Sequence, residues 1–304
     1  MARSTSHRST SVKRRTFDRT LWCDSQPSAT RIGLRVRTGA ANGQKLSAII
    51  SALLVIFLNG CGGSRDRVVE ETFDRLYTIE PSAKITIQSG DGAVLVYGSN
   101  VNEMQVHAVK KAYSQARLTQ IAIDVSSKPG SVSITTKFPP KPKWGLFDRS
   151  GTVDYTIVVP ATVTISGLEL DAGEILVDGM RGSMTHARLG EGRIFIRNCF
   201  NNLDVAVRRG NLIVSYDWWE ESRFSVGANV AAGNVWMYVP GDADFQLLAE
   251  AAQGKIVSDF ESIALEAPAS AAGMKTDTRV HGGGEATVKI RVEKGNINIV
   301  EANP

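Results

Sequence analysis

Leu168-Glu-Leu170-Asp-Ala-Gly173-Glu-Ile175-Leu-Val177 decides the fold, because the same phrase returns at Ala187-Arg-Leu189-Gly-Glu-Gly192-Arg-Ile194-Phe-Ile196. The pattern is a short alternating run, a glycine, and a second alternating run. It recurs around Gly92, Gly210, Gly233, Gly254 and Gly295. From Gly173 onward the steps are 19, 18, 23, 21 and 41 residues, and the last reads as about two repeats. Self-similarity at such a period is the mark of a repeat architecture. Five and three residues before glycine stand pairs such as Val205/Val207 and Ile290/Val292, and the position between them is mostly polar across the repeats: Glu169, Arg188, Ala206, Asn229, Glu250 and Arg291. Alternation by two sends one set of side chains inward. A glycine between two β-branched runs suits a corner that needs positive φ or a close neighbouring backbone. About five inward side chains do not offset the ordering of some twenty residues, so the repeats must stack. These residues predict an all-β fold, a parallel β-solenoid resembling a β-helix, with coils of about 20 residues. An antiparallel sandwich would explain the strand spacing but not one register for glycine and inward residues.

The segment 65–160 reads as a variant of the same plan. Ile85, Ile87, Val94 and Val96 build an early coil, and Met104, Val106 and Ala108 continue it. The Pro-rich stretch 137–151, with Trp144 and Phe147, is read as a loop, and 264–284 as a second one.

The chain has 304 residues and a net charge of +4, but the charge is unevenly placed. Ten of the 35 basic residues and only two of the 31 acidic ones lie in residues 1–60. The other 244 carry 25 basic and 29 acidic side chains. That mildly acidic body gives no electrostatic support for nucleic-acid binding.

Residues 46–58 form an apolar run of thirteen preceded by Lys45. The run is shorter than the roughly 20 residues that span a bilayer and suits the core of a secretory signal peptide. Leu58-Asn59-Gly60-Cys61 resembles the lipobox of bacterial lipoproteins, with Asn59 departing from the usual choice. The resemblance implies that Cys61 is acylated, palmitate included, and becomes the mature N-terminus. The expected organisation is a signal peptide over 1–60 with an over-extended start, a lipid-anchored linker over 61–69, and the solenoid over 70–300. The membrane is then a partner through the anchor. Gly62 stands where an Asp would resemble an inner-membrane retention signal, so the outer membrane or cell surface of a bacterial envelope is the expected location.

From Glu71-Thr-Phe73 through Ser89-Gly-Asp-Gly92-Ala-Val94 to Lys294-Gly-Asn-Ile297-Asn-Ile299, the chain resembles the bacterial putative-adhesin domains of unknown function, relatives of the head-GIN domains. The resemblance implies a β-solenoid, often membrane-tethered, and carries over no catalytic residues.

Solenoids also host carbohydrate-active enzymes, which need carboxylates converging on one face. The repeat positions beside glycine show no acidic column; Asp171, Glu174, Glu191 and Arg208 read as a solvated mixed-sign face. His107, His186 and His281 lack metal-ligand spacing, Cys199 reads as a free thiol, and no cofactor is expected. One feature stands out. The residue three after glycine should face outward, yet it is apolar in Leu95, Leu176, Phe195, Ile213, Trp236 and Val257. Tyr216, Trp218 and Trp219 are expected to protrude from a turn beside it. Phe195, Ile213, Tyr216, Trp218, Trp219 and Trp236 are therefore the candidate contact surface, for a protein or glycan ligand or for the chain's own loops. The expected function is a non-catalytic, lipid-anchored adhesin or scaffold. A carbohydrate-active enzyme and a self-associating homo-oligomer are the alternatives.

Overall fold

In a computed structural model of the chain, glycines distant in sequence lie side by side. The structure describes residues 68–128, 130–140, 151–260 and 273–302. The signal segment, Cys61, Trp144 and Phe147 lie outside the described residues, which fall in a compact unit, Ser64–Pro304. Among the described residues the fold is all-β, one largely parallel mixed sheet of sixteen strands with one four-residue helix, α1 (Gln115–Leu118). Among the described residues no helix is long and apolar enough to cross a membrane.

The repeats become two-arm units: a first arm, a glycine, a second arm. Four are continuous strands: β2 (Lys84–Ser99), β7 (Thr164–Asp178), β8 (Met184–Arg197) and β9 (Asn202–Ser215). In three others the glycine separates two strands: β10 (Ser225–Ala232) from β11 (Val235–Pro240), β12 (Phe245–Gln253) from β13 (Ile256–Ser258), and β15 (Ala286–Lys294) from β16 (Ile297–Ala302). An eighth unit joins β5 (Ser131–Lys137) to β6 (Thr152–Pro160). First arms pair with first arms and second arms with second arms, all parallel.

Register explains the glycines. Gly92, Gly173, Gly192, Gly210, Gly233, Gly295 and Gly254 follow one another in space, and six have φ between +131° and +142°. A Cβ on any of these from Gly173 onward would come within 1.6–1.9 Å of the neighbouring glycine's carbonyl oxygen. The corner thus excludes every side chain, both by conformation and by contact. Beside it, a side-chain ladder bonds the backbone of successive units. Asn211 accepts from the Asn234 amide at 3.3 Å, Asn234 from Asn296 at 2.9 Å, and Asn296 from Lys255 at 2.9 Å.

The inward positions fill one hydrophobic core. Two residues after glycine the buried column runs Val94, Ile175, Ile194, Leu212, Val235, Ile297, Ile256, with Tyr155 at its β6 end. Val205/Val207 and Ile290/Val292 do the same on the first arm.

Spatial order departs from sequence order at both ends. β15 lies between β10 and β12, and β16 between β11 and β13, so Gly295 sits between Gly233 and Gly254. The 41-residue step from Gly254 to Gly295 is therefore not two stacked repeats; the last unit of the chain is inserted before its predecessor. At the other end, the unit β5/β6 stacks on β2 on the side away from β7.

The ends are also not parallel. β3 (Glu103–Ala112) is antiparallel to β6, and β1 (Val69–Thr78) is antiparallel to β3. β4 (Ala122–Lys128) is antiparallel to β5, and β14 (Met274–Val280) to β12. Met104, Val106 and Ala108 thus do not continue the first repeat, and part of the expected loop 264–284 is a strand. Only three residues separate β2 from β3, far fewer than a parallel return in one sheet requires.

Candidate functional site

On the second arm, side chains at odd offsets from glycine point away from the core. Three after glycine, the register places Thr156, Leu95, Leu176, Phe195, Ile213, Trp236, Asn298 and Val257 in that spatial order. Leu95 to Trp236 is thus an unbroken apolar stripe across five neighbouring strands, each residue half-buried. Asn298 ends it. Val257, 51% exposed, is cut off from it because the last unit intervenes.

Charges flank the stripe on β7 and β8. Glu174 pairs with Arg193 at 2.5 Å on one side and Asp178 with Arg197 at 2.8 Å on the other. Arg193 also lies over the Phe195 ring, 4.8 Å from its centroid. The hydrogen bond that Arg197 donates to Asp178 is the main cause that raises the Arg197 pKa further, opposed by partial burial. Tyr97 and Tyr238 extend the same outer column as Asp178 and Arg197.

The turn aromatics behave differently from expectation. Tyr216 does not protrude: it is fully buried and its hydroxyl donates to the Cys199 carbonyl at 3.1 Å. The inward alternation of Leu212 and Val214 continues through it. Trp219 is half-buried and packs against Tyr216, Phe224 and Phe245 with centroids 5.4–5.5 Å apart. Trp218 alone of the three is exposed. Arg181 sits 4.3 Å from the Phe200 centroid and donates to Glu220 through both terminal guanidinium nitrogens, at 3.0 and 2.8 Å. Glu220 also accepts from the Trp218 indole at 2.9 Å. The turn is thus a structural aromatic cluster beside the core, not part of the stripe.

Cys199 lies beneath that cluster, fully buried, with its thiol directed at the Arg197 carbonyl at 3.3 Å. Burial is the chief cause that lifts its pKa from 9.0 to about 12. Tyr155, bonded to Thr136 at 2.7 Å, is likewise raised to about 12, mainly by burial. Both groups are held neutral in the fold and ionise more readily once it opens. Their contribution is complete below about pH 9 and is lost as pH rises towards 12. The urea midpoint should therefore stay flat from pH 7 to 9 and fall above it. Iodoacetamide with peptide mapping should leave Cys199 unmodified until unfolding; labelling at the rate of a free thiol in the folded protein would contradict its placement.

The residues read from sequence as a mixed-sign face lie on both arms, and two of its acids are paired with bases. Glu174 pairs with Arg193, and Glu191 with Arg209 at 3.2 Å. Asp171 and Arg208 instead line a shallow groove of about 510 Å³ on the outer face of the first arm, with a floor of Gly190, Ala206 and Ala231. Arg188 and Glu169, also lining it, face each other at 3.8 Å. The histidines are also apart: His107 bonds Asp74 at 2.6 Å, His186 bonds Asp204 at 2.8 Å, and His281 bonds the Ala243 carbonyl at 3.0 Å. Among the described residues no cluster of metal ligands occurs.

Some of the surface was not readable in advance. Thr156 closes one end of the stripe, but its unit has Val153 where the others have glycine, so it carries no register mark. The flanking acids and bases could have been found by reading one and five residues after Gly173 and Gly192.

No protein-family model matches the sequence, and no curated protein matches it. Solved structures do. The chain is similar to a putative cell adhesion protein from Clostridium sporogenes, at 14% identity and a TM-score of 0.45, over 76% of this chain and 100% of that one. It is also similar to a putative adhesin from Bacteroides fragilis, at 11% identity and a TM-score of 0.27, over 76% and 97%. A third likeness is to a putative adhesin from Parabacteroides distasonis, at 12% identity and a TM-score of 0.20, over 76% and 97%.

Proposed function

We propose that this chain is a non-catalytic, lipid-anchored envelope protein, a parallel β-solenoid that presents one rigid outer face for surface contact. Cys61 is the anchor, and the adhesin or scaffold role rests on the stripe Leu95–Leu176–Phe195–Ile213–Trp236. The observation that supports it is the unbroken register of these five side chains. An outward column in a sheet needs no apolar residues for folding, and contiguous outward apolar side chains mark contact surfaces. The stripe sits on hydrogen-bonded strands fixed by the glycine column, so little ordering accompanies contact. The two ion pairs leave the charges beside it matched within the chain, so the face is apolar in its middle and polar at its rim.

Attachment of cells displaying the anchored chain tests the contact role. Phe195→Glu with Trp236→Glu should reduce attachment at least tenfold while abundance and melting temperature hold. These outward side chains fill no core position, so the fold should lose little. Undiminished attachment by the variant would contradict the role.

A further inference from the structure

The charges flanking the stripe have a second property. Both flanking positions on β7 are acidic, Glu174 and Asp178, and both on the adjacent β8 are basic, Arg193 and Arg197. Each acid lies in exact register with a base, at the same height along the strands. A two-fold axis that lies in this face, parallel to the strands and between β7 and β8, brings β7 of one copy onto β8 of another. Height along the strand is unchanged by that rotation.

We infer that the partner of this face is a second copy of the chain, bound through such an axis; the inference rests on reading the face as a contact surface. Glu174 then meets the partner's Arg193, and Asp178, the more recessed acid, meets the partner's Arg197. Leu176 packs on the partner's Phe195, and Leu95 on the partner's Ile213. Thr156 lies over the partner's Trp236. Acid meets base at the two flanking heights and apolar meets apolar at Leu176/Phe195 and Leu95/Ile213, with Thr156 over Trp236 at the edge, and the mirror contacts repeat them, as a self-complementary two-fold interface requires. The in-plane ion pairs become a four-charge cluster on each side of an apolar seam.

The area is adequate. Six strands about 4.8 Å apart and three outward columns about 6.7 Å apart cover about 29 by 20 Å, roughly 580 Å² per copy or about 1,200 Å² for the pair, the lower end for specific interfaces. A dimer of micromolar strength, weakened by salt, fits that size. Parallel faces of twisted sheets also pack with strands nearly aligned.

Sedimentation of the full chain in detergent tests the pairing. A concentration-dependent dimer is expected. Glu174→Arg and Arg193→Glu should each raise its dissociation constant at least twentyfold, since each places like charges opposite one another twice. Arg193 is exposed and the Glu174 side chain is 38% exposed, where an ion pair contributes little to folding, so both variants should melt like the parent. An equimolar mixture should recover a dimer within about threefold of the parent's affinity, because every facing pair is again opposite in sign. A chain that stays monomeric to 200 µM overturns the inference. So do variants that dissociate but do not recover on mixing. The Phe195→Glu/Trp236→Glu attachment assay separates the two readings: a monomer whose attachment still depends on the stripe keeps the contact surface and loses only the second copy as its occupant.

Discussion

Deleting residues 286–304 should destroy the C-terminal third of the fold, not trim one repeat from its end. The deleted strands β15 and β16 lie between two units that precede them in sequence. Six buried side chains leave with them: Ala286, Val288, Ile290, Val292, Ile297 and Ile299. At about 1.5–3 kcal/mol for each large one, the loss rivals the whole stability of about 5–15 kcal/mol expected of a domain. The unit β12/β13 also loses its parallel neighbour on both arms, and its glycine loses the carbonyl it abuts. Hydrogen exchange of the truncated chain should show protection lost across 225–258, with much of the protein insoluble. Native protection of 245–258 in the soluble truncation would contradict the inserted order.

Gly192→Ala should cost about 4 kcal/mol or more, which for a domain of this size is a fall of roughly 8–16 °C in melting temperature. Two penalties combine. The residue has φ +132°, a conformation that itself costs about 1–3 kcal/mol for a side-chain-bearing residue. The new Cβ would also lie 1.9 Å from the Gly173 carbonyl oxygen, so the β7–β8 ladder must part at its centre. Gly167→Ala is the control. Its Cβ would meet only the Thr86 methyl at 3.6 Å, an ordinary contact, and its φ is not in the left-handed region. It should change stability by no more than about 1 kcal/mol, in either direction. Equal effects at the two sites would remove the close-approach explanation of the glycine column.

The glycines were legible because in six of the eight units two independent constraints, positive φ and a close neighbouring backbone, act on the same residue, leaving one residue type that fits. The apolar stripe was legible for a related reason: its members are counted from those glycines. The order of the units was not legible. Parallel in-register ladders bond alike whichever unit is adjacent, and nothing in Ile290-Arg-Val292 or Ala249-Glu-Ala251 says which is nearer Val230. The antiparallel ends were hidden for the opposite reason, since Met104, Val106 and Ala108 alternate as any strand does. Tyr216 carried a usable signal that was outweighed. It continues the inward alternation of Leu212 and Val214, but the aromatic pair after it suggested an exposed turn. Packing against Phe200 and Phe224 resolves this in favour of burial.

The anchored-envelope reading meets its most direct test in the intact mass of the native protein extracted from membranes. The expected mass is that of a chain beginning at Cys61 and carrying acyl groups, and Cys61→Ser should abolish both the acylation and the partitioning into detergent. A native mass matching the unprocessed 304-residue chain would contradict the anchor and with it the placement of this face at the cell surface.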